Sequence, residues 1–405
     1  MTVARWSFAA LLLLLTLVFL NSPGTGDVDI WGLWAERAET LGPVRGFAAN
    51  EADYPPLASG VLLLAVRGGR ALGLDPLLGI KLFILIFHVA CTLVVLRWTR
   101  SLAVAAAFHA TVFLSAVAHG FLDIFAALPF LLSLWALRER RLTPFAVLFA
   151  LAALLKWQPL IIAPFIAIHV IAITRRPGGA IDVAVLLRRV IAPALAILAV
   201  ILLFFGAAPT FRALAKGLNH EALSANALNL NWIVTHLLLV LDPRYGGLEE
   251  GRANWIRMPP PSLMVAARVV FLLAYAATLW AYLRRDKAFE RLLKFGLLGF
   301  LCYFMLNAGV HENHLFLASV LAVLLVWLKP DEFWPALVIV LMSNINLLLF
   351  YGLNGSELGF KRVIEGRFDM ALPIAIVNVI FFGWYWTSEV WRPGGKSVAT
   401  HPAAG

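Results

Sequence analysis

Two short acidic stretches hold the side chains best suited to chemistry in this chain. Residues 26–36 read Gly-Asp-Val-Asp-Ile-Trp-Gly-Leu-Trp-Ala-Glu and carry Asp27, Asp29, Trp34 and Glu36; further on, Ala-Asp-Tyr-Pro-Pro-Leu brings Asp53, Tyr54 and Pro55. A positioned carboxylate can take the proton from an attacking hydroxyl and contribute roughly 10²–10⁴-fold to a rate. Pro55 and Pro56 restrict the backbone beside Asp53, which gives its carboxylate a defined direction. Asp27 and Asp29 could also share Mg²⁺ or Mn²⁺, but two carboxylates without further ligands make a thin cation site, and no other cofactor is expected. Each aspartate has a plainer alternative as a helix-start or capping residue.

The elements that must position these residues are set by the solvent. With 61% hydrophobic and 14% charged residues over 405 positions, and a mean hydropathy of +0.86, the chain is too apolar for a soluble domain. Apolar runs of roughly 16–22 residues, long enough for a hydrocarbon core of about 30 Å, recur from end to end. They leave no room for a separate soluble domain, so residues 1–405 read as one embedded unit. The first run, Phe8 to Leu20 behind Arg5, meets no small-residue cleavage site at Leu20-Asn21-Ser22-Pro23 and reads as an uncleaved anchor. Later spans are expected near 78–96, 101–118, 121–137, 142–155, 158–174, 190–206, 263–283, 293–306, 313–328, 333–351 and 370–387. The expected fold is an all-α membrane protein of about twelve transmembrane helices. Pro56 to Leu74 is left out of that count, because Arg67, Gly68, Gly69 and Arg70 interrupt it and suit an amphipathic helix lying in the interface.

That omission sets the parity of everything after it. It places Arg138/Arg140/Arg141, Arg175/Arg176, Arg188/Arg189 and Arg284/Arg285/Lys287 together on the cytoplasmic side, as the positive-inside bias requires. The net charge of +10 is then a topology signal. The basic residues are scattered pairs on short loops, so no nucleic-acid partner is expected. Cys91 and Cys302 each fall inside a span and read as packing residues, and His88, His109 and His169, isolated within apolar runs, read as packing or locally hydrogen-bonded residues. Neither a Walker-type loop nor a dinucleotide fingerprint appears. Residues 22–77 and 207–262 form the long extracytoplasmic segments, with a third at 352–369, and long loops on one face are where a site is built. Within the second, Ser224 to Trp232 precedes apolar residues 233–241, too few to span and expected to be interfacial or re-entrant.

Gly26-Asp27-Val28-Asp29 with Trp34 and Glu36, then Asp53-Tyr54-Pro55-Pro56-Leu57, then Val310-His311-Glu312, resemble in their order the glucosyltransferases that extend the dolichol-linked oligosaccharide. Those enzymes belong to the membrane-embedded type C (GT-C) glycosyltransferases. Weaker echoes are His119-Gly120 before Asp123 and Leu155-Lys156-Trp157-Gln158. Asn226–Trp232 and His311-Glu312-Asn313-His314-Leu315-Phe316 also resemble bacterial relatives that use polyprenyl-phosphate sugars. The resemblance runs from about residue 26 to 316, and departs from the family where Asp29 replaces the usual Glu and Asn313 a usual basic residue.

The resemblance implies a GT-C-like bundle with an interfacial cavity, a polyprenyl-phosphate sugar donor, a glycan or glycolipid acceptor, and inversion at the anomeric carbon. Asp27, at the first acidic position, is then the expected general base, with Asp29 and Asp53 as the other catalytic carboxylates. Trp34, Glu36, Tyr54, Lys156, His311 and Glu312 make up the expected substrate-binding set. A lipid phosphate leaves as a fairly stable anion and needs cationic or dipolar stabilisation more than a general acid. Lys156 with His311 is expected to supply it, against a rival group of Lys361, Arg362 and Arg367; snorkelling and capping are their plainer roles. The expected place is a bacterial inner membrane with the site facing the periplasm, or the endoplasmic reticulum with the site facing the lumen. A transporter or flippase, which calls for ionisable residues near mid-membrane or repeated halves, and a ligase or polymerase with a diphosphate-linked donor are the alternatives.

Overall fold

A computed structural model describes residues 2–249, 251–355 and 369–391, and helices carry most of them. The chain opens with α1 (Thr2–Val18), α2 (Asp27–Leu41), α3 (Pro43–Asn50) and α4 (Pro56–Ala71). It continues through α5 (Pro76–Thr99), α6 (Leu102–Phe113), α7 (Asp123–Arg138), α8 (Leu142–Leu155) and α9 (Ala163–Ile173). α10 (Val183–Leu186) runs through a π turn into α11 (Ala192–Phe205), followed by α12 (Ala207–Leu218) and α13 (Leu230–Leu241). α14 (Pro261–Leu283), α15 (Phe289–Leu306), α16 (Phe316–Leu328), α17 (Phe333–Tyr351) and α18 (Ala371–Val390) complete it.

This is an all-α membrane protein. Pro76–Thr99, Val183–Phe205, Pro261–Leu283, Pro330–Tyr351 and Ala371–Val390 are long and apolar enough to cross a membrane. The other expected spans fall on shorter helices, from the 11 residues of α9 to the 18 of α15. α11 and α14 turn Leu195, Val200, Leu203, Leu272 and Leu273 outward, each more than half exposed. Such faces would be an aggregation hazard in water and suit contact with lipid. The centre is α15, buried on nearly every face from Leu292 to Met305, packed between α14 and α16.

Two polar clusters lock the ends of this core. At one end Lys294 Nζ pairs with Glu332 Oε1 at 2.8 Å and Glu389 Oε2 at 2.5 Å, while Tyr385 donates to Glu332 at 3.2 Å. The pairing joins α15, the turn before α17, and α18. At the other, the asparagines of the Asn226–Trp232 motif satisfy backbone that helix ends leave open. Asn229 Nδ2 donates to Phe304 O at 2.7 Å, and Asn231 Nδ2 to Leu306 O and Asn307 O, where α15 ends. Asn346 bonds Asn226 O and Leu228 N, both at 2.7 Å, and Asn378 donates to Leu228 O. A parallel pair of two-residue strands, β1 (Ser224–Ala225) and β2 (Val310–His311), fixes this segment against the later motif. α13 is a short apolar helix of 12 residues over the stretch expected to be interfacial or re-entrant.

Cys91 and Cys302 are buried, unpaired thiols. His88 and His109 are locally hydrogen-bonded and stack at 4.1 Å, and His109 bonds Thr16 at 2.7 Å and Thr92 at 3.2 Å, so α1, α5 and α6 share one polar seam.

α4 forms over most of the stretch excluded from the spans and is amphipathic. Ala58, Leu62, Ala65, Val66 and Gly69 are buried against α2 and α5, whereas Arg67 and Arg70 are exposed. Gly69 is obligatory: a Cβ there would stand 2.7 Å from Gly79 Cα, inside backbone contact. An interfacial α4 puts Arg67 and Arg244 on one side of the membrane. Single cysteines replacing these exposed arginines should both react with a membrane-impermeant thiol reagent added from outside. Protection of the residue 67 site alone would mean that α4 spans and that the sides after it reverse.

Candidate active site

The start of α2 is held before its side chains do anything. Thr25 N donates to His119 O at 3.0 Å and Trp31 Nε1 to Gly120 O at 3.2 Å, so the 119–120 turn clamps the helix entry. Gly24 makes this approach possible, at φ +76° with its Cβ position 2.8 Å from His119 O. His119 and Gly120 are therefore scaffold. Helical spacing of about 100° per residue then sorts α2. Asp27, Trp31 and Trp34 share one face and line a cavity of about 510 Å³; Asp29 and Glu36 fall on the opposite face, exposed and outside the lining. Asp27 and Asp29 thus do not share a cation site. Among the described residues no group of three or more His, Cys, Asp or Glu stands close enough to hold a metal ion.

Asp27 is not a cap. The N-cap is Gly26, and the Asp27 carboxylate makes no hydrogen bond or ion pair with another described residue. Burial pushes its carboxyl up to about 6; Lys156 opposes the rise, and the charges of Asp53 and Asp123 add to it. Asp53 is the reverse case. Burial alone would raise it, yet the hydrogen bond and charge of His220, with a smaller effect of His311, bring it below the usual carboxylate range. Its Oδ2 lies 3.2 Å from His220 Nε2, and its carbonyl accepts from Trp157 Nε1 at 2.9 Å. The prolines after it do give the carboxylate a fixed direction, toward a histidine.

Lys156, just past the end of α8, is buried in a four-way junction. Its Nζ donates to Tyr54 OH at 2.7 Å and to Asp123 Oδ2 at 2.9 Å, and Asn313 Nδ2 donates to the same oxygen at 3.1 Å. One of its three N–H donors is left for a ligand. Tyr54 is set by Trp31 and Trp34, the three rings meeting edge to face at 5.0–5.8 Å. Gln158, 6% exposed, lines the cavity with both side-chain polar atoms buried and unpartnered. Buried amides are rarely left so unless something polar visits them.

His311 lines the cavity too, but its Nε2 lies 3.4 Å from His220 Nδ1, giving a chain Asp53, His220, His311. Burial holds His311 down to about 3, so at neutral pH it is an uncharged imidazole. His314 Nδ1 accepts the backbone N–H of His311 at 3.2 Å, which places its proton on Nε2. Glu312 stands behind the cavity wall, taking a 3.0 Å bond from Tyr351 of α17. Lys361, Arg362 and Arg367 lie outside the described residues. Of the expected set the structure gathers Asp27, Trp34, Asp53, Tyr54, Lys156 and His311 around one cavity. Gln158, His220 and Asn313 join them in the lining, with Asp123 behind Lys156; none was given a role from the sequence, although Asp123 and Gln158 stood within its weaker echoes and Asn313 within the His311–Phe316 stretch.

No protein-family model and no curated protein matches the chain.

The junction predicts a stability result. Removing one partner of a buried ion pair strands the other, at about 3–5 kcal/mol. Lys156→Met should therefore lower thermal stability sharply, and Lys156→Met with Asp123→Asn should recover most of the loss in the purified full chain. Equal stability of the single variant and the parent would mean that the pair does not carry the site.

Proposed function

We propose that the chain is a membrane-embedded glycosyltransferase of the GT-C type that moves a sugar from a polyprenyl-phosphate donor to a glycan or glycolipid hydroxyl with inversion. The proposal extends to about twelve crossings and a cavity on the extracytoplasmic side. The observation that carries it is Asp27: a carboxylate in a mostly apolar cavity, free of hydrogen bonds from other described residues, and raised toward neutral. A carboxylate in that state is a better proton acceptor than a solvated one and is still ionised at pH 7. Ile30, Leu160, Ile161, Leu214 and Leu218 extend the same cavity with aliphatic walls, which suits a lipid-carried substrate.

The reaction is a single displacement. The acceptor hydroxyl oxygen forms its bond to the anomeric carbon while its proton passes to the Asp27 carboxylate. The bond between that carbon and the phosphate oxygen breaks, and its electron pair leaves with the polyprenyl phosphate. In this reading the third N–H of Lys156 and the amide of Gln158, both in the cavity lining, hold the departing anion. His311, whose Nε2 faces His220, acts on it less directly than the sequence alone suggests. Asp53 is tied to that histidine and orients the cavity wall, leaving the base role to Asp27.

Transfer from a synthetic polyprenyl-monophosphate sugar by the purified protein is the direct test. Since Asp27 must be ionised to accept a proton, kcat/KM should fall as pH drops through about 6. Asp27→Asn should lower kcat about 10²-fold or more and abolish that acid limb, with donor binding largely kept. Near-normal turnover by Asp27→Asn would remove it as the base and bring Asp53 with His220 forward.

A further inference from the structure

A second recess, of about 490 Å³, adjoins the cavity and shares Trp34, Asp53, His220 and His311 with it. Its chemistry is different. Where the cavity has aliphatic walls, the recess is rimmed by exposed Glu51, Lys216, Glu221 and Arg257, and among the described residues its aliphatic lining is two alanines, Ala52 and Ala222. Trp255 stands at this rim with its residue surface 40% exposed, the Arg257 guanidinium 5.7 Å from its ring. Glu51 and Lys216 pair at 3.2 Å across α3 and α12, which fixes one wall. Neither the cavity residues nor the sequence motifs account for Trp255 and Arg257.

We infer that this recess is the acceptor platform, a site for a polyhydroxylated sugar ring that stacks on Trp255 and presents a hydroxyl across the Asp53–His220–His311 boundary toward Asp27. The inference rests on the proposed transferase reading and adds the acceptor's place and class. A pyranose has an apolar C–H face and a rim of hydroxyls that both donate and accept. The exposed indole face matches the first, and mixed carboxylate, ammonium and guanidinium groups match the second. The volume lies within the range of about 300–1,000 Å³ typical of small-ligand sites. Two compartments meeting at one carboxylate-histidine boundary also answer a physical problem: a lipid-tailed donor and a water-loving acceptor need walls of opposite polarity, yet must meet within bonding distance.

Saturation-transfer NMR on the full chain in lipid nanodiscs tests the platform directly, using methyl β-glucoside and methyl α-mannoside as probes. At least one should receive saturation on its ring protons, falling fivefold or more in Trp255→Ala and returning in Trp255→Phe. Trp391→Ala, at an exposed tryptophan far along the chain, serves as the control that keeps the signal. Arg257→Gln should raise the acceptor KM about tenfold or more in transfer assays. A soluble oligosaccharide and the same sugar on a lipid tail are compared there, and dependence of either on Trp255 supports the platform while identifying the acceptor's carrier. Absence of binding by the parent chain, or binding indifferent to Trp255, overturns it. Trp255-dependent binding by a chain that uses no polyprenyl-monophosphate donor would sink the transferase reading and leave a sugar site; donor use with Trp255-independent binding would do the opposite.

Discussion

The buried pairing of Lys156 with Asp123 is the constraint on which the candidate site depends. Neither charge could be carried alone into this interior, because an unpaired buried ion costs several kcal/mol. Their pairing fixes where α7 begins, where α8 ends and, through Asn313, where the turn into α16 lies. Tyr54 is drawn to the same nitrogen, and with it the segment that carries Asp53. Four stretches of chain far apart in sequence meet because one ammonium and one carboxylate must satisfy each other.

Charge balance around the junction separates two carboxylates of the same type. Asp53 has a histidine and ionises easily; Asp27 has no such partner, feels two like charges, and holds its proton longer. Difference in environment, with residue type held constant, is what divides a base from a structural anion. The neutral state of His311 comes chiefly from its burial, with the neighbouring His220 and, less, Lys156 adding to it.

Away from the site, an apolar exterior makes polar satisfaction the organising rule of the core. The Asn229 and Asn231 amides close the carbonyls at the end of α15, and Lys294 with two glutamates closes the other end. These contacts tie both ends of α15 to its neighbours, and β2, which follows it, carries His311 to the cavity. The asparagine motif, whose sequence resembles that of bacterial relatives using polyprenyl-phosphate sugars, satisfies backbone groups here.

Much of this was legible in the residues alone. Apolar length and composition determine a helical membrane protein, because the bilayer permits few backbone solutions; the interruption at Arg67–Arg70 marks α4 as amphipathic, and the acidic stretches mark where chemistry gathers. Asp29 and Glu36, expected in the site, lie on the far face of α2 from Asp27, which follows only once these residues are known to be helical. What the sequence could not decide is which distant residues share a charge. Asp123 and Lys156 are 33 positions apart, Asp53 and His220 lie in distant segments of the chain, and Gln158 gains its interest only by being buried without a partner. Such assignments depend on the dielectric and on who stands within about 3 Å, and only the packed helices determine either.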